Sequence, residues 1–408
     1  MQKRKDSKGR VLKDGETQRK DGIYMFRYTG EDKKRHYLYS KDLNDLREKE
    51  EKLNQDKCLG IRVEEKNTTL NNIYYLWKTN KKGLKSSTAG NYYYMYEHYV
   101  KDDLGIMKIQ QMKRSDIMRF YNNLIDSKGL SMNTLETIQN VLYQIFQVAV
   151  HDDYIRKNIT EDVLGECKKA RNYEAPKRHA LTIPEQKAFI NYIKETPKFK
   201  HWLPIFTFFL GTGCRIAEVC GLTWNDVDFE NNCISINHSL VYYDREQKKT
   251  YHYISTPKTS AGIRIIPLLP EVKKALLDEK KYQEEAGIKC IASYSGYTDF
   301  VFLNRFGDVH NPQTVNRTIK RIVLAYNEEE ACKAVTEDRD GVYLPDFSCH
   351  NLRHTFCTRL CENESNLKVI QTVMGHKDIA TTMEVYAEAT QEKLVETFAN
   401  LEGKITIA

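Results

Sequence analysis

The sequence predicts a multidomain α+β protein. A small three-stranded sheet with one helix comes first, then a four-helix domain, then a mainly α domain with a small antiparallel sheet. Three observations carry that reading. The 408 residues are long enough for two to three domains. With 40% hydrophobic residues, the chain can bury ordinary cores. The apolar pattern also changes period along the chain, from short aromatic-rich stretches to helical stripes and then to a mixture of both.

The first domain is expected over residues 1–65. GIYMFRYTGEDKKRHYLYS, residues 22–40, places two aromatic stretches around Gly30-Glu31-Asp32, a hairpin signal. Val11–Leu12 is the candidate third strand, between Gly9 and Gly15. DLNDLREKEEKLNQDK then carries acids at its start and good helix formers throughout. A hairpin alone is marginal in water, so this helix is expected to cover it. Residues 66–165 turn helical, with hydroxyl cap candidates at Thr68, Ser86, Ser115 and Ser131. Leu135, Ile138, Leu142, Ile145, Phe146 and Ala149 form a helical stripe. Tyr92, Tyr93, Tyr94, Tyr96 and Tyr99 crowd the second helix and are expected mostly to pack. Residues 166–180 are rich in Lys and Arg and lack apolar periodicity, so they read as a basic linker. In the last domain, residues 181–408, LTIPEQKAFINYI and LPIFTFFLGTGCRIAEVCGL read as helices. Cys233–Tyr243, Thr250–Thr256 and Gly262–Leu268 read as strands, and the chain beyond Pro270 as mostly helix.

Charge narrows the partners. The formal net charge is +7, and +6 of it falls in residues 1–40, which hold twelve basic and six acidic side chains. A concentrated basic end suggests a polyanion, with nucleic acid the first candidate. Lys3, Arg4, Arg10, Arg19, Lys20, Arg27, Lys33, Lys34 and Arg35 supply the contacts expected there. Lys168, Lys169, Arg171, Lys177 and Arg178 supply those of the linker. The longest apolar run, near Trp202–Leu210, is interrupted by Pro204 and Thr207 and falls far short of the ~18 residues of a membrane span. Met1–Arg10 has no apolar region, so no signal peptide, no membrane association and a cytoplasmic location are expected. The ten scattered cysteines then read as reduced thiols.

Two segments hold candidates for phosphate chemistry, which without a metal needs guanidinium groups, a proton donor and a nucleophile. In GTGCRIAEVCGLTWNDVDFE, Arg215 follows a glycine-flanked turn at a helix start, with Glu218 three residues on. In SCHNLRHTFCTRL, His350 and Arg353 lie three apart on one helical face. In VMGHKDIATTMEVYAEAT, His376 follows Gly375 at a helix end and Tyr386 lies ten residues later.

In order and distance these segments resemble the boxes of the tyrosine recombinases, the phage integrase family: the first arginine, His-x-x-Arg, Gly-His and the nucleophilic tyrosine. STPKTSAGIRIIPL puts Lys258 in a turn similar to the one that carries the family's lysine. The basic sheet domain followed by a helical domain further resembles the arm-binding integrases of conjugative transposons and lambda-like phages. The resemblance implies an arm-type DNA-binding domain over 1–65, a core-binding domain over 66–165 and a catalytic domain over 181–408. It implies the catalytic set Arg215, Lys258, His350, Arg353, His376 and Tyr386. The arginines would clamp the scissile phosphate, Tyr386 would form a 3′-phosphotyrosine and free a 5′-hydroxyl, and Lys258 would protonate that leaving oxygen. His350 and His376 would bond the phosphate or assist proton movement, with Glu218 orienting Arg215. A phenol ordinarily titrates near ~10, so its attack needs a neighbouring positive field. Because the covalent bond stores the phosphodiester energy, no cofactor and no metal are expected. The implied partners are double-stranded DNA with core and arm sites, three further copies in a homotetramer on that DNA, and an excisionase or DNA-bending accessory protein. The segment after Tyr386 ends in a β-prone stretch that could dock on a neighbour.

Two features depart from the family pattern. Glu388 stands where many members have a histidine two residues after the tyrosine, and CENESNLK lacks a glycine common in that loop. Three other readings stand beside the main one. His350, His354, Cys357 and Cys361 are zinc-type ligands, but four ligands along one straight helix do not easily converge tetrahedrally. A type IB topoisomerase would use similar tyrosine chemistry without joining two sites. A DNA-binding protein with a degenerate site would lack part of the catalytic set.

Overall fold

The computed structural model describes residues 4–30, 34–58, 67–175, 179–242, 251–257 and 260–387. The described residues divide into two compact units, one up to residue 175 and the other from residue 179 onward. The mixed, mainly helical architecture with small antiparallel sheets matches the expected fold class.

The first unit opens with an antiparallel sheet in the order β1 (Glu16–Gln18), β2 (Tyr24–Thr29), β3 (Arg35–Ser40), followed by α1 (Leu43–Cys58). Alternation along β2 sends Tyr24 and Phe26 into a core with Leu43, Leu46 and Leu53 of α1. Met25 and Arg27 take the opposite face. The third strand is Glu16–Gln18, not Val11–Leu12. Val11 makes only an isolated bridge to Lys5. The strand was hidden because it is polar. Glu16 is buried, and its carboxylate is satisfied by Arg47 at 2.9 Å and by the Lys13 backbone N–H at 2.7 Å.

The helical block comprises α2 (Leu70–Asn80), α3 (Ser86–Met95), α4 (Arg114–Asp126), α5 (Met132–His151) and a shorter α6 (Val163–Ala170). Thr69 and Ser131 cap α2 and α5 through their hydroxyls, while at α4 the Asp116 carboxylate accepts the Lys113 N–H at 2.9 Å. The α5 stripe is buried as expected. Tyr96 is fully buried and stacks on Tyr74 with ring centres 3.7 Å apart. The stretch read as a linker from residue 166 therefore begins inside α6. Val163 and Cys167, one turn apart, reach the core, too short a stripe to register as periodicity.

The second unit runs α7 (Ile183–Glu195), α8 (Leu203–Thr212), α9 (Ile216–Gly221), β4 (Val227–Asp228), β5 (Cys233–Ile236), β6 (Ser239–Val241), β7 (Tyr253–Ser255) and β8 (Arg264–Pro267). It continues with α10 (Pro270–Glu285), α11 (Pro312–Thr336), α12 (Cys349–Asn363) and α13 (Leu367–Met374). Residues 379–387 are helical as well. The antiparallel strands form two small sheets, β4-β5-β8 and β6-β7. β7 and β8, the strands that precede and follow residue 258 in sequence, thus belong to separate sheets. A large core gathers Phe189, Phe206, Phe208 and Phe209 with Leu276, Ile319 and Leu352. Among the described residues no helix is long and apolar enough to cross a membrane.

Candidate active site

Chain reversal between α8 and α9 puts the first arginine in place. Gly213 ends α8 at φ +61°, where a Cβ would lie 2.4 Å from the Phe356 ring, so glycine is required twice over. Arg215 then caps α9. The Glu218 carboxylate accepts the Arg215 backbone N–H at 2.8 Å and its Nη1 at 2.9 Å, while Nη2 donates to the Gly375 carbonyl at 3.0 Å.

Arg353 enters from the first turns of α12 and is 4% exposed. Its two terminal nitrogens donate to the carbonyls of Gly213 at 2.6 Å and Met374 at 2.5 Å. Burial and the like charge of Arg215 lower its pKa to about 10, which leaves it cationic at neutral pH. His350, one turn earlier, is exposed. The Asn316 side-chain oxygen accepts the Cys349 N–H at 2.9 Å, holding the start of α12 against α11. A cleft of about 290 Å³ opens here, lined by Arg215, Ser348, Cys349, His350 and Arg353 among others. The N-terminus of α12 and two guanidinium groups therefore face one space, a setting suited to an anion.

His376 follows Gly375, which ends α13 at φ +62°. Its Nδ1 lies 2.9 Å from the hydroxyl of Thr382, which is fully buried. Burial and then the charges of Arg353, Arg215 and Arg264 depress its pKa to about 4, so the imidazole is neutral at pH 7. Tyr386, half-buried, packs against the small cluster of Cys357, Cys361, Ile370 and Met374 and is not among the side chains lining the cleft. Lys258 lies outside the described residues.

The sequence reading missed Arg264. Its guanidinium donates to Glu218 at 2.8 Å and 3.2 Å. Burial alone would raise the Glu218 pKa, but the bonds and charge of Arg264 outweigh it and hold the carboxyl below its ordinary value. The available signal was a charged residue amid Ile263, Ile265 and Ile266, which a strand buries only when it is paired. Thr382 was missed as well, and nothing in its local sequence marks it.

Of the basic residues expected to meet nucleic acid, Arg27 and Arg35 stand exposed on the face of the N-terminal sheet that α1 leaves open, with Tyr37 and Tyr39. Arg19 lies over the Tyr39 ring, and Arg4, Lys20, Lys34 and Lys169 are exposed. Three are engaged internally. Arg10 bonds Asp6 and Tyr24, Lys168 pairs with Glu136, and Arg171 holds Asp126 and Asn122. Lys3, Lys33, Lys177 and Arg178 lie outside the described residues. Among the described residues no group of three or more His, Cys, Asp or Glu could hold a metal ion.

Comparison with known proteins gives the relatives of this chain. Residues 180–393 match the phage integrase family, residues 1–57 the DNA binding domain of Tn916 integrase, and residues 69–125 the N-terminal SAM-like domain of phage integrases. The transposase from transposon Tn1545 of Streptococcus pneumoniae is 32% identical over 405 residues, covering 95% of this chain and 94% of the relative. The transposase from transposon Tn916 of Enterococcus faecalis matches with the same identity and coverage. Among solved structures, the Tn1549 transposon integrase in complex with a circular intermediate DNA superposes with a TM-score of 0.70 at 28% identity, covering 80% of this chain and 99% of that one.

Proposed function

The chain belongs to the phage integrase family and is a tyrosine recombinase, and from that premise we propose that it integrates and excises a mobile element such as a conjugative transposon, acting on DNA through the cleft described above. The observation that carries this reading is the convergence of Arg215, Arg353 and His350 on one cleft at the N-terminus of α12. Planar, permanently charged guanidinium forks match the nonbridging oxygens of a phosphodiester in a way that lysine does not.

In the proposed reaction Arg215 and Arg353 grip the scissile phosphate and offset the charge that builds on phosphorus, where the loss of one such donor typically costs ~10²–10³ in rate. Tyr386, its phenol proton passing to solvent, attacks phosphorus as the bond to the 5′-oxygen breaks, leaving a 3′-phosphotyrosine and a 5′-oxygen that takes a proton from Lys258. A 5′-hydroxyl of a second strand later attacks the phosphotyrosine and releases the phenol. His350 and His376 bond the phosphate. His376, neutral and with Nδ1 next to Thr382, offers its Nε2 edge for this. For Tyr386 to reach phosphorus, the helix over residues 379–387 must bring its ring to the cleft, a step we assign to DNA binding.

The open face of the N-terminal sheet, carrying Arg27, Arg35, Tyr37 and Tyr39, is the proposed contact for arm-type sites. The helical block and residues 166–180 would hold the core site. Four copies would synapse two duplexes in the cytoplasm, with an excisionase or DNA-bending protein setting direction. On a nicked suicide substrate made from the element's end, Tyr386→Phe is expected to bind with unchanged affinity and to form no covalent adduct, read as a loss of the shifted band on a denaturing gel. Adduct formation by that variant would remove Tyr386 from the nucleophile's role.

A further inference from the structure

Three consecutive carbonyls at the end of α13 each receive a different arginine. Val373 accepts Arg264 Nε at 2.8 Å, Met374 accepts Arg353 Nη2 at 2.5 Å, and Gly375 accepts Arg215 Nη2 at 3.0 Å. The last carbonyls of a helix have no partner within it and carry its negative end, so they attract cations. Arg215 and Arg353 line the cleft. Arg264 does not, and its side chain is almost wholly buried on β8.

The bonding of Arg264 links what the proposed chemistry leaves separate. Glu218 Oε2 accepts Arg264 Nη2 at 2.8 Å and the Arg215 backbone N–H at 2.8 Å. Its Oε1 accepts Arg264 Nη1 at 3.2 Å and Arg215 Nη1 at 2.9 Å. Four N–H groups fill the accepting capacity of one carboxylate. Arg264 Nη1 also reaches the Gly262 carbonyl at 3.3 Å. At Gly375 a Cβ would sit 3.0 Å from Arg264 Nη1 and 3.0 Å from the Ala261 carbonyl, so the turn before His376 closes directly onto this arginine.

We infer that Arg264 is a positioning residue of strand cleavage: through Glu218 it sets the guanidinium of Arg215, and through the Val373 carbonyl it sets the turn that presents His376. The inference rests on the cleavage reaction proposed above. A lysine at 264 keeps the charge but has no planar fork with which to hold Glu218 through both oxygens while reaching Val373. Arg215 would then be drawn further onto Glu218 and away from the phosphate.

The test is single-turnover formation of the covalent adduct by the full chain on two suicide substrates. One carries an ordinary scissile phosphodiester. The other carries a methylphosphonate, whose neutral group removes the charge that Arg215 is proposed to offset. On the phosphodiester, Arg264→Lys is expected to slow adduct formation about tenfold to a hundredfold, with DNA affinity within about twofold of the parent. On the methylphosphonate, the gap between variant and parent should shrink severalfold. A defect of folding alone slows both substrates alike, so an equal loss on the two would overturn the inference, as would an undiminished rate on the phosphodiester. If Arg264→Lys melts below the assay temperature, Arg264→Met combined with Glu218→Gln removes both buried charges together and is held to the same two ratios. Failure of the parent protein to form any adduct would instead defeat the proposed function.

Discussion

Arg353 spends both terminal nitrogens on backbone carbonyls, Gly213 and Met374, leaving its remaining edge for a ligand. A lysine can offer its three protons from a single atom, but it cannot span two carbonyls on different elements and still face the cleft. Arg353→Lys is therefore expected to lower the rate of covalent adduct formation by ~10²–10³, measured at saturating DNA, while the binding isotherm stays close to that of the parent. This residue and its companions were legible as motifs because the chemistry dictates residue type and local spacing: His350 and Arg353 share a face three residues apart, and Arg215 follows a glycine turn. Arg264 and Thr382 were not. The isoleucines around Arg264 mark a buried charge but not its partner, Glu218, which lies 46 residues away, and no motif marks Thr382, which meets His376 across a turn.

Helix α10 packs its apolar face on the large core, with Val272, Ala275 and Leu276 buried, yet it also buries Glu279 at 4% exposure. Gln283 donates to Glu279 at 2.7 Å and to the Val301 carbonyl at 2.6 Å, and among the described residues the Glu279 side chain has no cationic partner. Burial pushes the Glu279 pKa up to about 7, against an ordinary 4.5. A carboxyl whose pKa is raised by folding favours the folded state most below its unfolded value. That contribution is lost as pH rises from about 4.5 through about 7. By the relation of ~1.4 kcal/mol per pKa unit, the loss amounts to about 3 kcal/mol at most. Glu279→Gln keeps the shape without the charge, so it is expected to raise the melting temperature at pH 8 and to change it little at pH 4.5. An identical shift at both pH values would show that ionisation is not involved. Helix α5 was legible because it buries a long stripe. The polar β1 and the short α6 were not, since Glu16 is buried through its pairing with Arg47 and the Lys13 N–H, and α6 fully buries only Val163 and Cys167 in its core.

Across the whole chain, charge is divided unevenly: +6 of the net +7 falls in the first forty residues, and the other 368 are nearly balanced. The balanced part concentrates its positive charge locally, as the three arginines on the carbonyls at the end of α13 do, so its grip on a phosphate depends on placement more than on net charge. The N-terminal sheet differs. Arg27 and Arg35 project from its open face beside Tyr37 and Tyr39, while Arg10 is tied to Asp6 and Tyr24 and holds the fold together. Each phosphate contact that is lost lowers the log–log salt slope by about 0.9 in duplex DNA. In the full chain, Arg27→Gln with Arg35→Gln is therefore expected to reduce the slope of arm-site binding by about 2 and to weaken that binding most at low salt. Arg10→Gln should act differently. It removes a partner of the buried Asp6 carboxylate and is expected to lower the melting temperature of the sheet domain, with the salt slope changed only in proportion to unfolding. Core-site cleavage on a short suicide substrate lacking arm sequences should proceed at the parental rate in the Arg27, Arg35 variant, because none of the residues around the cleft is altered. A parallel loss of core-site cleavage would mean that the sheet face serves the reacting site itself, and the separation of the two DNA contacts would have to be abandoned.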